Sequence, residues 1–333
     1  MSGTAQPGDG AEDDGDGRPG PSRLPYPVVG LGASAGGMAA ALRFFEHLPS
    51  DSGMAFVVVF HLAPEHESAA AEILQRATRM PVLQVSQTVN IEPNHVYVIA
   101  PRLQLAMDDG QLQVSALQRA PAKLAAVDVF FRTLAQTQRE RAFAVVLSGT
   151  GSDGSVGLAD IKREGGVTFA QAANDAEYDG MPSAAVATQL VDFVLPAGEI
   201  PAKLVDLWLN ARQMRLPDAR DLALEADEPD DAAESARAEA ALRDTISLLR
   251  SRTGNDFQHY KRATVLRRIE RRMQVTAQPD VVAYRVYLEL HPEETEHLLR
   301  DMLVSVTSFF RDRQAFEALE RELMTRLLQP GHE

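Results

Sequence analysis

Three polar residues in the chain have types and spacing that suit acyl transfer: Ser34, His61 and Asp153. A serine hydroxyl is a weak nucleophile until an imidazole removes its proton, and the imidazole needs a carboxylate to fix its tautomer. The order serine, histidine, aspartate differs from the common serine hydrolase orders, but such triads are defined by geometry. The three residues therefore predict a nucleophile, a general base and an orienting carboxylate, provided that the fold brings them together.

The glycine-rich turn that carries Ser34 also fits a second kind of chemistry. The pattern Gly30-x-Gly32-x-x-Ala35 after a strand-like run matches the fingerprint of dinucleotide-binding oxidoreductases. That fingerprint requires an acidic residue at the end of the second strand, whereas the second apolar run here ends in His61. A third interpretation is that the glycines only permit a tight turn. The nucleophile hypothesis accounts for more residues, and the other two remain open.

The elements that must position these residues follow an alternating pattern. Runs rich in valine, isoleucine and phenylalanine alternate with alanine- and leucine-rich stretches of helical period, which is typical of βαβ units and a parallel sheet. The predicted strands are Val28 to Leu31, Ala55 to Phe60, Val82 to Val85, His95 to Ala100, Ala142 to Leu147, Val167 to Ala170 and Phe193 to Leu195. The predicted helices are Met38 to Glu46, Ala69 to Ala77, Val127 to Arg139 and Gly154 to Glu164. The pair Asp109-Gly110 between alternating segments predicts an antiparallel hairpin.

The predicted fold class is α/β: a doubly wound, mainly parallel sheet with an antiparallel hairpin, followed by a smaller all-α domain. Residues at the carboxyl ends of parallel strands converge on one crevice. Ser34, His61 and Asp153 each follow a predicted strand, so they are expected at one edge of the sheet. Glycines beside Ser34 would let a bulky acyl group approach it. Backbone N–H groups at the starts of the next helices could donate to an oxyanion, and position alone nominates Gly36, Gly37, Thr150 and Gly151.

Composition limits the classes of function. The 333 residues are 45% hydrophobic, include no cysteine and carry a formal net charge of −14. The lack of cysteine excludes disulfides, thiolate metal sites and a cysteine nucleophile, and no metal site is predicted. The acidic balance disfavours nucleic-acid binding. No apolar run approaches the length of a bilayer span, so we expect no membrane insertion and a cytoplasmic location. The sequence carries no signal for an oligomeric state.

The composition changes along the chain in a way that predicts domains. Residues 1–24 are acidic and rich in glycine and proline, which predicts a disordered lead. A catalytic α/β domain is predicted over 25–212, followed by an acidic linker over 213–240 that becomes helical near Ala232. Residues 241–333 have almost no strand signal and repeated helical periodicity. They predict a second, all-α domain.

A basic segment lies within this second domain. Residues 250–272 contain 8 lysines and arginines against 2 acidic residues. Four arginines recur at helical spacing and therefore share a face. They are Arg267, Arg268, Arg271 and Arg272. This face could be a solvated surface, could pair with the acidic linker, or could bind an acidic partner.

Four motifs carry a resemblance to a known family. They are Gly32-Ala33-Ser34-Ala35-Gly36-Gly37, His61-Leu62, Ser148-Gly149-Thr150-Gly151-Ser152-Asp153-Gly154 and Tyr178-Asp179-Gly180-Met181-Pro182. In order and spacing they resemble the catalytic domain of the chemotaxis protein-glutamate methylesterases, the CheB family, over about residues 25–210. The resemblance implies hydrolysis of glutamate methyl esters on chemoreceptor signalling helices, with release of methanol, and deamidation of receptor glutamines.

The same resemblance implies roles for single residues. Ser34 would be the nucleophile, His61 the general base and acid, and Asp153 the orienting carboxylate, with no cofactor. Ala35 stands where many members have threonine, and Thr150 where many have methionine, so oxyanion contacts are expected from the backbone. The family's receiver domain is not matched before the esterase motifs, so we expect a different form of regulation.

The second domain resembles the N-terminal helical domain of the chemotaxis methyltransferases, the CheR family. The matching segments are Phe257 to Met273 and Leu303 to Asp312. The resemblance implies docking of Lys261 and the four arginines on acidic chemoreceptor helices. It also implies contacts from Thr307 and Arg311 to S-adenosylmethionine, although Ser305 replaces the usual asparagine. The methyltransferase catalytic domain is not matched, so we expect an incomplete cofactor site and no methyl transfer by these residues alone.

The sequence thus favours a serine esterase acting on methyl-accepting chemoreceptor signalling helices and fused to a methyltransferase N-domain. One alternative is a catalytically degenerate adaptor that only binds receptors. A nucleotide-binding oxidoreductase is the other. Methanol release and nucleotide binding distinguish these three hypotheses.

Overall fold

The computed structural model describes residues 24–60, 69–100, 103–116, 126–214 and 229–303, with the side chains of 229–234 excepted. Several predictions fall wholly or in large part outside these ranges. They are the disordered lead over residues 1–24, the acidic linker over 213–240, the general base His61, and the cofactor contacts Thr307 and Arg311.

Ten strands are present in the described residues. They are β1 (Val28–Ala33), β2 (Ala55–Phe60), β3 (Val82–Val85), β4 (Val89–Asn90), β5 (Val96–Ile99), β6 (Leu103–Asp108), β7 (Gln111–Ala116), β8 (Ala142–Val146), β9 (Val167–Gln171) and β10 (Phe193–Leu195). Seven of them form one parallel sheet in the order β10-β9-β8-β1-β2-β5-β3. The other three form a small antiparallel sheet in the order β4-β7-β6. Strands β1, β2, β5, β8 and β9 are buried along their whole length, as expected for strands covered on both faces.

Helices cover both faces of the parallel sheet. Those of the first domain are α1 (Gly37–Glu46), α2 (Ala70–Gln75), α3 (Ala126–Gln138), α4 (Gly157–Arg163), α5 (Gly180–Ala187) and α6 (Ile200–Ala211). On one face, α1 and α6 bury Phe44, Phe45 and Leu204 against the sheet. On the other face, α3 and α4 bury a second core that includes Phe131 and Leu158. The predicted doubly wound α/β class is confirmed.

Two glycines in β1 are explained by helix packing. A Cβ at Gly32 would lie 2.2 Å from Val127 Cγ1, and one at Gly30 would lie 2.9 Å from Phe130 Cε1. Helix α3 therefore lies against the strand at a distance that only glycine allows. The structure gives these two glycines a packing role, which is neither the cofactor role of the fingerprint nor access for an acyl group.

The second domain consists of four helices in the described residues. They are α7 (Pro229–Thr253), α8 (Arg262–Thr276), α9 (Val281–Leu290) and α10 (Pro292–Leu303). Their core includes Leu249, Ile269, Met273, Tyr284 and Leu298. Helix α7 begins at Pro229, so the helix predicted near Ala232 within the linker starts slightly earlier.

The two domains contact each other through the arginine face of α8. Arg268 donates to the carbonyl oxygens of Lys162 and Arg163 at 3.0 and 2.7 Å, and Arg271 donates from Nε to the Gly166 carbonyl at 2.9 Å. Arg271 also forms ion pairs with Asp192 of the first domain and Asp301 of the second. Two arginines of the basic face, Arg268 and Arg271, thus form part of the surface by which the helical domain binds the α/β domain.

The prediction that this face docks on a receptor is wrong for three of its arginines. Arg268, Arg271 and Arg272 are buried, and Arg272 makes a bidentate pair with Glu294, with both contacts at 2.7 Å. Helical spacing placed the arginines on one side of α8, but that side meets protein. Lys261 and Arg267 are exposed.

Candidate active site

The candidate site lies where neighbouring strands of the sheet connect in opposite directions. From β1 the chain continues to β2 on one side, whereas β8 lies on the other side of β1 and leads on to β9. In open α/β sheets the crevice at the carboxyl ends of such strands is the usual ligand site. Ser34 follows β1 and Ser148 follows β8, so both lie at this position.

The backbone of Ser34 is tied to the neighbouring loop. Its N–H donates to the Ser148 carbonyl at 3.0 Å, and its carbonyl accepts from the Gly37 N–H at 2.9 Å. Gly36 caps the start of α1 in the left-handed conformation, with φ of 70°. This turn orders the chain around a partly buried serine at the N-terminus of a helix.

The turn after β8 packs directly against Ser34. A Cβ placed on Gly149 would lie 3.0 Å from Ser34 Cβ and 2.2 Å from Met181 Sδ. The backbone of Gly149 donates to the Tyr178 carbonyl at 2.9 Å and accepts from the Met181 N–H at 2.8 Å. The predicted motifs around Ser34, Ser148 and Tyr178 therefore meet in one place.

Asp153 lies at the same edge and binds the start of α3. Its carboxylate accepts from the Val127 N–H at 3.3 Å and the Asp128 N–H at 3.0 Å, and the residue is buried. Anionic groups at a helix N-terminus are stabilised by its unpaired N–H groups. The carboxylate thus has a structural role beside the one that sequence reasoning assigned to it.

Asp128, which lies next to Asp153, is half-buried. Burial raises the pKa of Asp128, the charge of Asp153 raises it further, and the hydrogen bond from the Gly157 N–H opposes both. The two carboxylates link the start of α3 to the start of α4. The loop that carries Asp153 is therefore fixed from both helices.

The predicted oxyanion donors differ in what their backbone groups already bind. The Gly37 N–H is used by the Ser34 carbonyl, so it is not directed at a ligand, which corrects that part of the prediction. Within the described residues, the N–H groups of Gly36, Thr150 and Gly151 make no backbone hydrogen bond. These three remain the candidate donors, by position.

The strand that precedes the predicted base lies beside the strand that precedes Ser34. Ala33 and Phe60 are directly paired across β1 and β2, and they are the residues just before Ser34 and His61. The side chain of His61 lies outside the described residues. Of the predicted triad, Ser34 and Asp153 lie in the described residues, in the loops that follow the carboxyl ends of β1 and β8.

Comparisons with known proteins agree with this arrangement. A family model described as CheB methylesterase matches residues 29–204, and one described as the all-alpha domain of CheR methyltransferase matches residues 240–303. The chain belongs to the CheB methylesterase family. The crystal structure of the CheB methylesterase catalytic domain from Thermotoga maritima matches with a TM-score of 0.51 and 28% identity, covering 55% of this chain and all of that one.

Sequence relatives of this CheB-family chain differ in how much of their own length the match covers. A putative protein-glutamate methylesterase/protein-glutamine glutaminase from Leptospira interrogans is 28% identical over 191 residues, which cover 57% of this chain and 99% of that protein. An uncharacterised 104.1 kDa protein from Rhodobacter capsulatus is 36% identical over 270 residues, which cover 78% of this chain. The match spans 28% of the Rhodobacter protein.

Sequence reasoning missed several residues of this CheB-family site. Ser148, Gln171, Tyr178 and Met181 are joined by hydrogen bonds to Ser34 or to its neighbours Ser148 and Gly149, and three of them lie within motifs already noted. Gln171 ends β9 and Ser148 follows β8. The rule that selected Ser34, a polar residue at the end of a parallel strand, would have selected both.

Metal-binding clusters and membrane-spanning helices are both absent from the described part of the chain. There, no group of three or more histidine, aspartate or glutamate side chains is arranged to hold a metal ion, and no helix is long and apolar enough to cross a bilayer. The residues expected to contact S-adenosylmethionine, Thr307 and Arg311, lie outside that part. No chemical step proposed for this chain involves that cofactor.

Proposed function

We propose that the chain hydrolyses glutamate methyl esters on the signalling helices of methyl-accepting chemoreceptors, giving glutamate and methanol. The observation that carries the proposal is the position of Ser34 at the strand crossover, with its backbone fixed by Ser148 and its side chain beside Gly149. Membership of the CheB methylesterase family supports the substrate class. The cytoplasmic location of such helices is part of the same proposal.

The chemistry proceeds in two stages in this proposal. His61 removes the proton from Ser34 Oγ, which attacks the ester carbonyl carbon, and the resulting oxyanion accepts hydrogen bonds from backbone N–H groups. The intermediate then breaks the bond to the methoxy oxygen, which takes the proton from His61 and leaves as methanol. Water, activated by the same imidazole, hydrolyses the acyl-enzyme to glutamate and regenerates Ser34.

A second activity of the same site is the deamidation of receptor glutamines. The names of several relatives, among them one from Pyrococcus horikoshii that is 31% identical over 191 residues, join methylesterase and glutaminase. The same acyl-enzyme would form, with ammonia in place of methanol as the leaving group. An amide is a poorer substrate because resonance stabilises its C–N bond and because its nitrogen is a much more basic leaving group than methoxide, so it departs only once His61 has protonated it.

Receptor docking by the helical domain is proposed only for its exposed cations. Lys261 and Arg267 stay exposed on the helical domain, while the three buried arginines bind within the protein. Charge complementarity with acidic receptor helices would guide association more than it would raise affinity. The Lys261→Ala/Arg267→Ala variant should raise KM for receptor at low salt without changing kcat.

The central test measures methanol release from methylated receptor. The Ser34→Ala variant should lose at least about 1000-fold in rate because it lacks the nucleophile. Ser155→Ala, a serine change in the loop before α4, is the matched control and should keep wild-type activity. Equal rates for wild type and Ser34→Ala would favour the adaptor hypothesis, and micromolar binding of a nicotinamide nucleotide would favour the oxidoreductase.

A general-base role for His61 makes a separate prediction. The rate should fall as the pH drops through the range in which an imidazole becomes protonated, since only the neutral ring accepts the Ser34 proton. The measurement is kcat/KM against pH with a small ester. A profile that stays flat through this range would contradict the role of His61.

A further inference from the structure

Ser148 is a wholly buried polar residue at the end of β8, one strand away from Ser34. Burying a hydroxyl costs free energy unless its hydrogen bonds are replaced. A Cβ added to Gly36 would lie 2.7 Å from Ser148 Oγ, so the hydroxyl is tightly enclosed. Such a group has a defined set of partners.

The partners of the Ser148 carbonyl and hydroxyl lie in two separate loops. Its carbonyl accepts from the Ser34 N–H at 3.0 Å. Its hydroxyl lies 2.9 Å from the Ala35 carbonyl, to which it donates, and accepts from the Tyr178 N–H at 3.0 Å. The Tyr178 carbonyl, at 3.2 Å, is a second acceptor for the same proton. One side chain therefore connects the turn that carries Ser34 with the loop of Tyr178.

A second layer of hydrogen bonds fixes Ser148 itself. Its N–H donates to Gln171 Oε1 at 2.8 Å, and Gln171 Nε2 donates to Asp175 Oδ2 at 2.7 Å. That carboxylate also accepts from the Ala197 N–H at 2.9 Å. Burial raises the pKa of Asp175, but these hydrogen bonds and the charge of Arg43 outweigh it and hold the pKa below its usual range. An ionised carboxylate thus anchors the amide that holds Ser148.

We propose that Ser148 is a positioning residue for the nucleophile Ser34. It holds the backbone on both sides of Ser34 Cα, through the Ser34 N–H and the Ala35 carbonyl, and so sets the direction from which Oγ attacks. The inference rests on the proposed function and adds a residue to it. Misplacement of a reacting atom by about 1 Å can cost about 100-fold in rate, so a hydrogen bond that fixes this turn should act on the chemical step.

The test compares Ser148→Ala with Ser155→Ala. Both changes remove one hydroxyl, and that of Ser155 donates to the Ser152 carbonyl at 2.6 Å near the exposed start of α4. Three quantities are measured on the full chain: kcat and KM for methylated receptor, the same for p-nitrophenyl acetate, and the rate at which a fluorophosphonate labels Ser34. Circular dichroism and thermal melting confirm that each variant is folded.

Ser148→Ala should lower kcat for both esters and the labelling rate by about 10- to 100-fold, with KM within about threefold of wild type. Ser155→Ala should match wild type. Wild-type kcat in a folded Ser148→Ala variant, or a change confined to KM, would overturn the inference. If Ser148→Ala does not fold, the Gln171→Met variant is used instead, because it removes the acceptor of the Ser148 N–H. A fall in its labelling rate supports the positioning role of Ser148, and an unchanged rate overturns it.

Failure of the proposed function gives a different result. A wild-type chain that is labelled at Ser34 and hydrolyses p-nitrophenyl acetate but not methylated receptor would refute the receptor substrate. The labelling rates of the two variants would still decide the role of Ser148. A wild-type chain that is not labelled at all refutes both proposals.

Discussion

Asp153 combines two tasks that separate experiments can distinguish. Its carboxylate accepts two N–H groups at the start of α3, and the proposed mechanism also requires it to orient His61. Asparagine has nearly the same shape but replaces one acceptor oxygen with a donor. The exchange should therefore affect both the cap and the triad.

We predict that Asp153→Asn lowers the free energy of unfolding by about 1–3 kcal/mol, because the new amide nitrogen cannot accept a hydrogen bond and leaves one of the two N–H groups unpaired. It should also lower kcat by more than the smaller folded fraction explains. Urea unfolding and ester hydrolysis measure the two quantities. Asp179→Asn, a change at an exposed aspartate of the neighbouring loop, serves as the control. An Asp153→Asn variant with wild-type stability would show that the cap contributes nothing.

Among the elements, the contact between β1 and α3 does most to place the site. The glycines of β1 let α3 approach closely, and the start of α3 in turn holds Asp153. The same strand carries Ser34 at its end. Packing on one face of the sheet thus sets the position of a carboxylate relative to a hydroxyl at its edge.

The substitution Gly32→Ala tests this packing. The new methyl group would lie 2.2 Å from Val127 Cγ1, and overpacking of this kind costs about 1–3 kcal/mol of unfolding free energy. The Gly32→Ala/Val127→Ala double variant should recover part of the loss, because the second change removes the clashing methyls. If the double variant loses as much unfolding free energy as the two single variants together, the proposed contact is refuted.

For the whole molecule, the main feature is where the second domain binds. Its partners on the α/β domain include Gly166 and Asp192, which precede β9 and β10, and the end of α4. These are the amino ends of parallel strands, whereas Ser34 and Asp153 lie at the carboxyl ends. The helical domain therefore binds the edge opposite the candidate active site.

This interface is electrostatic as well as buried. Lys162 Nζ lies 3.0 Å from Asp301 Oδ1 and 3.4 Å from Asp192 Oδ1, and Arg271 pairs with both aspartates. Burial would raise the pKa of Asp192, but the charges of Arg271 and Lys162 outweigh it and hold the pKa well below its usual range. The negative charge of Asp192 is therefore stabilised by these two cations.

We therefore predict that Arg271→Met lowers the free energy of unfolding by about 3–5 kcal/mol, because it leaves two buried carboxylates short of a partner. Arg267→Met, in the same helix but exposed, should change it by about 0.5 kcal/mol or less. Urea unfolding compares the two variants. Hydrolysis of a small ester below the unfolding transition should persist in Arg271→Met, since the site lies at the other edge; its loss would contradict this separation.

A cavity of about 260 Å³ lies between the domains, and Glu270, Glu140 and Trp208 are among the residues that line it. Burial raises the pKa of Glu270 to about 7, and the charge of Glu140 adds to this, while Arg267 opposes it. The folded chain thus favours the protonated carboxyl. The stability that Glu270 contributes is greatest below its ordinary pKa of 4.5 and is lost as the pH rises to about 7.

Replacing Glu270 with glutamine, which does not titrate, should remove this loss of stability at high pH. We predict that Glu270→Gln is more stable than wild type by about 1–3 kcal/mol at pH 8, with a much smaller difference at pH 4.5. Urea unfolding at both pH values measures the gap. The same gap at pH 4.5 and pH 8 would show that the carboxyl does not titrate in this range.

Several strand boundaries and part of the candidate site could be predicted from local sequence. The strands β2, β3 and β10 begin and end as predicted, because runs of β-branched and aromatic residues bounded by turn residues leave few alternatives. The convergence of Ser34 and Asp153 on one edge followed from parallel strands alone. Helices α5 and α6 were not predicted. Helix α5 is short and has almost no apolar period, whereas α6 has an apolar face and Pro201 near its start, a helix-start signal that sequence reasoning missed.

Only the tertiary structure decided which surfaces are covered by protein and which polar groups already have hydrogen-bond or ion-pair partners. Helical period placed Arg268 and Arg271 together, but a period of 3.6 residues describes a face and not what covers it. The same holds for the Gly37 N–H, which donates to the Ser34 carbonyl, and for Ser148, whose hydroxyl binds Ala35 and Tyr178, 113 and 30 residues away along the chain. Hydrogen bonds and ion pairs between distant segments depend on the three-dimensional path of the chain, and no local pattern contains that path.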